Sequence, residues 1–351
     1  WVEGPRLAFH RLYSRRSGHF TPRRLSHGTH ADSLMANGRA AALCALVAIM
    51  VYCTVPISAA ASLQLALEGP SPGSHWGDGC LHVFLDVGAN IGVQTRKLFE
   101  PQAYPLAGTR TPGHSFSWTG AFDSMLGENR QQHTCSFAFE ANVHHSPRLR
   151  SLETCYKARG WRAKIFTETA AAAINSTLPF YDDPVNIRRQ EWAASLLQHG
   201  RSWRKQTAHE VAAIDLAWWI RYHILERRIP SSSAPTSPTV LMKLDVEAAE
   251  FDIVGRMLDM GLVCGPRDRS INLLALEWHR QFVEQKEGRP MPCDALPKCR
   301  AAAALMNRVG KKLRSPTCST TRYVEEDDDS FMYDSKLALP IFNESGCRAR
   351  A

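Results

Sequence analysis

The chain has no Cys-x-x-Cys pair, so its ten cysteines offer no paired-thiolate knuckle for a structural zinc ion. Cys44 and Cys53 lie in an apolar N-terminal segment, and Cys80, Cys135, Cys155, Cys264, Cys293, Cys299, Cys318 and Cys347 are scattered over the rest. Some of these eight are expected to form disulfides in an oxidising compartment; buried free thiols are the alternative, and spacing leaves the pairing open. The chain also lacks a broad basic surplus. Its formal net charge is +8, but residues 1–39 hold seven Arg against Glu3 and Asp32, so the remainder carries only +3. That balance gives no electrostatic case for a nucleic-acid partner. Finally, no Gly-x-Gly-x-x-Gly run is present where one would be sought, which counts against a pyrophosphate seat.

That missing fingerprint directs attention to residues 81–98, LHVFLDVGANIGVQTRKL. Val83, Phe84 and Leu85 form an apolar run ending at Asp86, after which Gly88, Asn90 and Gly92 carry the backbone through a tight turn into a helix. Strand, glycine turn and helix make a ligand corner at the carboxyl end of a strand in an open α/β sheet. Asn90 stands where a dinucleotide loop has its middle glycine. An acid ahead of the glycines and no pyrophosphate seat suit an amino-acid-bearing nucleoside such as S-adenosylmethionine.

Residues 1–39 read as a basic tail. The first methionine is Met35, nothing functional is drawn from the stretch before it, and its composition also suits an organelle transit peptide. Residues 40–67 contain no charged side chain over 28 positions, with Arg39 just ahead. The run exceeds the roughly 20 residues that cross a bilayer, and its basic flank would stay cytoplasmic. It is read as a signal anchor or, with Pro56 and the small residues 58–62 as a cleavage region, as a signal peptide. Either sends the remainder into the secretory pathway, to an ER or Golgi lumen, or outside the cell. Residues 68–79 read as a Pro/Gly/Ser linker, with a folded domain over 80–351. Asn175 and Asn343 open glycosylation tripeptides.

Within that domain, residues 135–140 (CSFAFE) read as a second strand ending in Glu140, followed by Ala141 and Asn142. An acid at that strand end is where such sheets hold ribose hydroxyls, since a carboxylate accepts from both. Residues 101–134 read as a long irregular lid, 144–160 as a helix stopped by Gly160, and 161–166 as a third strand. The small residues 169–173 suit either close approach of an adenine ring or a plain turn. Residues 208–227 are apolar-rich and end in basic residues, as a helix does. Residues 239–260 form the second informative stretch: strand 240–244, then Asp245 and Glu247 beside Lys243, then a helix ending at Gly261. Strand 271–276 follows, leading to Glu277, Trp278 and His279, and residues 317–324 and 336–342 read as closing antiparallel strands.

Taken together, VFLDVGANIGVQT, FEANVHHSPRL, IDL, MKLDVEAAEF and LEWH, in that order over about residues 81–280, resemble the FkbM-type S-adenosylmethionine-dependent methyltransferases. The resemblance implies an α/β class I methyltransferase fold, a Rossmann-like, mostly parallel seven-stranded sheet with helices on both faces and a reversed last strand. It implies O-methylation of a sugar, glycan or other hydroxyl-bearing metabolite. By position, Asp86, Gly88, Asn90 and Gly92 would shape the methionine end of the cofactor, Glu140 would hold the ribose, and Ala141 and Asn142 would lie beside the adenine. Asp245 and Glu247 would sit near the transferred methyl. The family's usual Asp-x-Glu-Gly-Ala stands here as Asp245-Val246-Glu247-Ala248-Ala249, a departure that a non-catalytic scaffold would also accommodate. A hydroxyl acceptor needs a base, and Asp245, Glu247 and His279 are the candidates, His279 favoured because imidazole titrates nearest neutral pH. No metal is assigned; a carboxylate/His site from Asp245, Glu247 and His279 is the less favoured reading.

Overall fold

The computed structural model describes residues 58–104, 116–127, 129–182, 194–198, 206–230, 237–286 and 289–326. In chain order the strands are β1 (His82–Val87), β2 (Thr134–Glu140), β3 (Arg162–Thr167), β4 (Thr169–Ala172), β5 (Ser176–Tyr181), β6 (Ala208–Asp215), β7 (Thr239–Leu244), β8 (Leu273–Leu276), the short pair β9 (Gln285–Lys286) and β10 (Arg289–Pro290), and β11 (Arg322–Glu325). The helices used below are α1 (Ala59–Leu67), α2 (Val93–Phe99), α3 (Trp118–Leu126), α4 (Ser146–Ala158), α5 (Leu216–Trp219, continuing as a π-helix over Ile220–Leu225), α6 (Glu250–Asp259) and α7 (Pro297–Leu313).

Six strands form one sheet in the order β11-β8-β7-β1-β2-β3, and every neighbouring pair is parallel. All six residues of β1 are buried, as expected of a parallel strand covered on both faces. Val83, Leu85 and Val87 join one core layer with Trp219, Ile220, Ile253, Val254 and Met257. Phe84 points the other way, into a layer with Leu98, Trp118, Phe122, Leu149 and Tyr156. Helices therefore cover both faces, and the strand side chains alternate between two apolar layers. A second sheet, β4-β6-β5, lies after β3, with β4 and β6 parallel and β5 antiparallel to β6.

Several sequence expectations change. The sheet has six strands among the described residues rather than seven, and the stretch expected as an antiparallel closing strand is β11, parallel to β8. The physical reason is the helix α7 between them, which returns the chain to the starting edge of the sheet, as a crossover does. Residues 336–342 lie outside the described residues. The expected lid contains α3, whose Trp118, Ala121 and Phe122 are buried against β1; residues 105–115 lie outside the description. Residues 169–172 are a strand, not a turn. Residues 208–215, read as the start of a helix, form β6, because pairing with β4 and β5 on both sides overrides local helix preference.

The segment read as a linker belongs to the body. The end of the apolar N-terminal run is the nine-residue helix α1, whose Ala66 is fully buried. Trp76 and Trp219 both donate indole N–H to Ala66 O, at 3.3 and 2.8 Å. Gly77 N donates to His223 O at 3.0 Å. Residues 59–67 pack on the body through Ser62 and Ala66, while Leu65 stays exposed. No helix among the described residues is long and apolar enough to cross a membrane, and residues 40–57 lie outside the description.

Disulfides join Cys80 to Cys135, Cys264 to Cys318, and Cys293 to Cys299, and Cys155 is disulfide-bonded as well. The first ties the entrance of β1 to the start of β2 across 55 residues, a separation at which closing the loop in the unfolded chain contributes about 4 kcal/mol.

His223 links α1 to the π-helix and makes stability depend on pH. Its Nε2 meets Leu67 O at 3.0 Å, and its Nδ1 lies 3.4 Å from the Trp76 N–H. Nδ1 is thus the acceptor and Nε2 carries the proton. Burial lowers the pKa to about 4, against the opposing effect of the Leu67 carbonyl. Burial likewise lowers His82 to about 4, helped by His133 and Arg227. Both folded values lie below the unfolded value, so this stability is full above about pH 6.5 and is lost as pH falls toward 4. Thermal melts between about pH 7 and pH 4.5 are expected to show a progressive fall in Tm, smaller in His223→Gln. An identical fall in the variant would remove His223 from this account.

Candidate functional site

The sheet order reverses between β1 and β7. From β1 the chain proceeds outward to β2 and β3, and from β7 outward to β8 and β11. Because the strands are parallel, their carboxyl ends share one edge, and the crevice at such a reversal is where open α/β sheets bind ligands. Four acids reach this edge: Asp86 near the end of β1, Glu140 ending β2, and Asp245 and Glu277 just after β7 and β8.

The glycine loop follows β1. Gly88 has φ +76, and a Cβ there would come within 1.7 Å of Asp245 O, so only glycine lets the loop lie against the turn after β7. Gly92 has φ +82 and caps α2, while a Cβ there would press on Leu152. Asp86 is fully buried and its Oδ2 accepts from the Thr95 N–H and hydroxyl, at 3.0 and 2.9 Å. Its position therefore shapes the loop by anchoring the first turn of α2. Gly88→Ala is expected to lower Tm by several degrees, since the left-handed backbone costs an L-residue about 1–2 kcal/mol before the collision is counted. Wild-type melting in that variant would show that the loop has room this geometry denies it.

Glu140 clamps the loop to the end of β2. Its Oε2 accepts from Asn90 N at 2.6 Å and its Oε1 from Asn142 N at 2.8 Å, with His145 Nδ1 at 3.6 Å. Each carboxylate oxygen keeps a further lone pair for a ligand hydroxyl. Asn90 takes φ +50, and its Oδ1 is buried with no hydrogen-bond partner. Asn142 is buried, and its Oδ1 accepts from His144 N. Ala141 packs with Ala170, Phe180 and Val211 beneath the smaller sheet.

On the β7 and β8 side, acids surround one imidazole. His279 is 4% exposed. Its Nε2 lies 3.2 Å from Glu277 Oε1, 3.3 Å from Glu247 Oε2 and 3.6 Å from Asp245 Oδ1. On the other side, Nδ1 faces Glu250 Oε1 at 3.4 Å, and the same oxygen accepts from His279 N at 2.7 Å. Burial opposes the imidazolium, but Glu250, Glu277, Glu247 and Asp245 outweigh it and push the pKa up to about 12. The acids around the ring thus favour its imidazolium form. Asp245 Oδ2 pairs with Lys243 Nζ at 2.8 Å, and the same ammonium donates to Gly88 O at 2.7 Å. Burial raises the Asp245 pKa, yet Lys243 and His279 prevail and hold it below the ordinary value. For Glu247 burial prevails over His279 and drives the pKa well up, aided by the neighbouring acids.

The turn after β7 carries positive φ at both Glu247 (+52) and Ala248 (+82). Alanine at 248 thus adopts a left-handed backbone that glycine would take without strain. Ser195 braces it by donating to Glu247 O at 2.6 Å.

All three catalytic candidates, Asp245, Glu247 and His279, come together. Sequence reasoning missed Glu277, Glu250 and Ser195. The position of Glu277 directly after a strand was a usable signal, whereas Glu250 is the first residue of α6 and Ser195 lies more than 40 residues away, and neither had one. Asp215 of the IDL motif is structural: its Oδ1 caps α5 at Trp218 N, and its Oδ2 accepts from Arg256 Nε at 2.6 Å. No family model, curated protein or solved structure matches the chain.

Proposed function

We propose that the chain is an S-adenosylmethionine-dependent O-methyltransferase acting on a hydroxyl of a sugar, glycan or other small metabolite. The observation that carries the reading is the contact of the Gly88 loop with the Asp245 turn, which makes the nucleoside corner and the acid cluster one continuous edge. The loop residues fit the cofactor: the Gly88 cradle excludes a Cβ, the orphaned Asn90 Oδ1 is an acceptor suited to an ammonium, and Glu140 retains lone pairs for ribose hydroxyls.

When bound, S-adenosylmethionine supplies a methyl group already activated on a sulfonium. The chain's own work is to orient the acceptor oxygen and to take its proton. Asp245 is engaged by Lys243, and His279 favours its imidazolium form. Glu247, whose raised pKa makes its ionised form the stronger base of the two carboxylates, is therefore assigned as the proton acceptor, with His279 as a positioning residue that holds Glu247 and Asp245 at the edge. The disulfides support maturation in an oxidising compartment, in keeping with a lumenal or secreted enzyme.

One observation favours a nicotinamide-dependent oxidoreductase instead: six parallel strands in the order found here are also the dinucleotide-binding arrangement. Against it stands Asn90, whose side chain occupies the position where a pyrophosphate needs glycine. Calorimetry on the full chain is expected to give S-adenosylhomocysteine binding at least tenfold tighter than NAD. The reverse preference would establish the oxidoreductase reading, and binding of neither would favour a non-catalytic scaffold.

A further inference from the structure

We infer that the edge between β7 and β8 is a divalent-cation site, with Asp245 Oδ1, Glu277 Oε1 and His279 Nε2 as ligands and manganese the best-matched ion, the ion taking the place of the proton that the acids otherwise hold on the ring. The inference does not depend on methyl transfer. These three ligand atoms lie within 4.8 Å of one another. Nε2 is 3.2 Å from the Glu277 oxygen and 3.6 Å from the Asp245 oxygen. Two ligands each about 2.1 Å from an octahedral ion and at right angles stand about 3 Å apart, so the ring nitrogen is already near ligand spacing from both.

Three features separate this cluster from a solvated group of acids. First, the donor set is mixed, and its nitrogen belongs to a side chain that is 5% exposed. Second, the ring is aimed. Glu250 faces Nδ1 from behind at 3.4 Å without a hydrogen bond to it, leaving Nε2 turned toward the two carboxylates, a placement that a ligated imidazole would tighten into the carboxylate–histidine–metal arrangement. Third, the Glu250 side chain is fully buried and its Oε2 has no hydrogen-bond partner. A carboxylate buried at that cost is accounted for if it supports a ligand. The three ligands come from two neighbouring parallel strand ends, so the sheet presets their separation. Lys243 Nζ, on Asp245 Oδ2, leaves Oδ1 as that carboxylate's ligand atom.

The chemistry of the donors selects the ion. Two carboxylates favour hard cations, the imidazole favours the later transition metals, and manganese tolerates both. Magnesium and zinc are the comparison ions. A cation here would sit beside the Gly88 loop, where it could hold the oxygen of a bound hydroxyl or carboxylate ligand.

The test is manganese binding to the full chain after chelator treatment, read by the loss of the free-ion electron paramagnetic resonance signal and by the shift in Tm. One ion per chain is expected, with a rise in Tm. Glu277→Gln, which preserves size, is expected to weaken binding at least tenfold and abolish the rise. Glu284→Gln, on the exposed Arg280 pair, is expected to change neither. Should Glu277→Gln unfold, Asp245→Asn is the second variant, with the same tenfold loss expected. No stoichiometric binding by the wild type, or binding equal in wild type and the ligand variants, would overturn the site and leave His279 as a purely ionic hub. Neither result alters the cofactor comparison above, so the two readings fail separately.

Discussion

Glu140→Ala is expected to lower the free energy of unfolding by about 3–6 kcal/mol, because hydrogen bonds to a charged group are worth about 1.5–3 kcal/mol each and this carboxylate accepts two. Both donors are backbone N–H groups, Asn90 in the glycine loop and Asn142 after β2, so their loss releases two segments from each other. Glu140→Gln keeps one acceptor oxygen and turns an amide toward the other N–H, and should lose an intermediate amount. Denaturant titration of the three proteins provides the measurement. A loss below about 1 kcal/mol in the alanine variant would mean that the loop stands without the clamp. In calorimetry the alanine variant should also bind S-adenosylhomocysteine roughly 10- to 150-fold more weakly, the range that one charged hydrogen bond spans. A variant with normal stability but lost binding would assign Glu140 to the ligand alone; loss of both is the expected result.

The second large effect concerns the acid cluster. Glu247→Gln is expected to reduce kcat on a hydroxyl acceptor by about 10²- to 10⁴-fold, the contribution of a positioned base. S-adenosylhomocysteine affinity should stay within about threefold, since Glu247 faces His279 rather than the glycine loop. Steady-state rates together with cofactor binding separate these effects. Unchanged kcat would move the base elsewhere, and a parallel loss of cofactor binding would show that the substitution had disturbed the shared edge. The turn itself is under strain at Ala248. Ala248→Gly would relieve the left-handed backbone but remove a buried methyl packed near Phe251 and Ala302, so the two effects, each on the order of 1 kcal/mol, largely cancel.

Much of the fold could be read locally. The apolar runs at residues 83–85 and 240–244 became adjacent central strands, and Gly160 and Gly261 stand at helix ends with positive φ. Where the reading failed, non-local pairing had prevailed. β6 looks helical in isolation, yet its partners β4 and β5 claim it. The packing of helix α1 was likewise not visible locally, since it rests on Trp76 and Trp219 donating to Ala66 O. The direction of β11 depends on the crossover through α7, which no property of its four residues reveals. Disulfide partners were equally illegible, because Cys80 and Cys135 meet only once β1 and β2 pair.

The acidic edge divides in the same way. Strand ends carrying Glu140, Asp245, Glu247 and His279 follow from alternating apolar runs and turn residues, and parallel strands necessarily bring such ends to one side. So the sequence by itself determined the α/β class, the glycine corner and the candidate acids, because each depends on residues close together along the chain. The tertiary structure alone decided the raised pKa of His279, the commitment of Glu140 to two backbone amides, and the presence of Glu277 and Glu250 around one ring. Most of these depend on groups that meet only in the folded chain, Glu250 with His279 across 29 residues and Glu140 with Asn90 across 50, and an ionisable group acquires its working state from its neighbours in space.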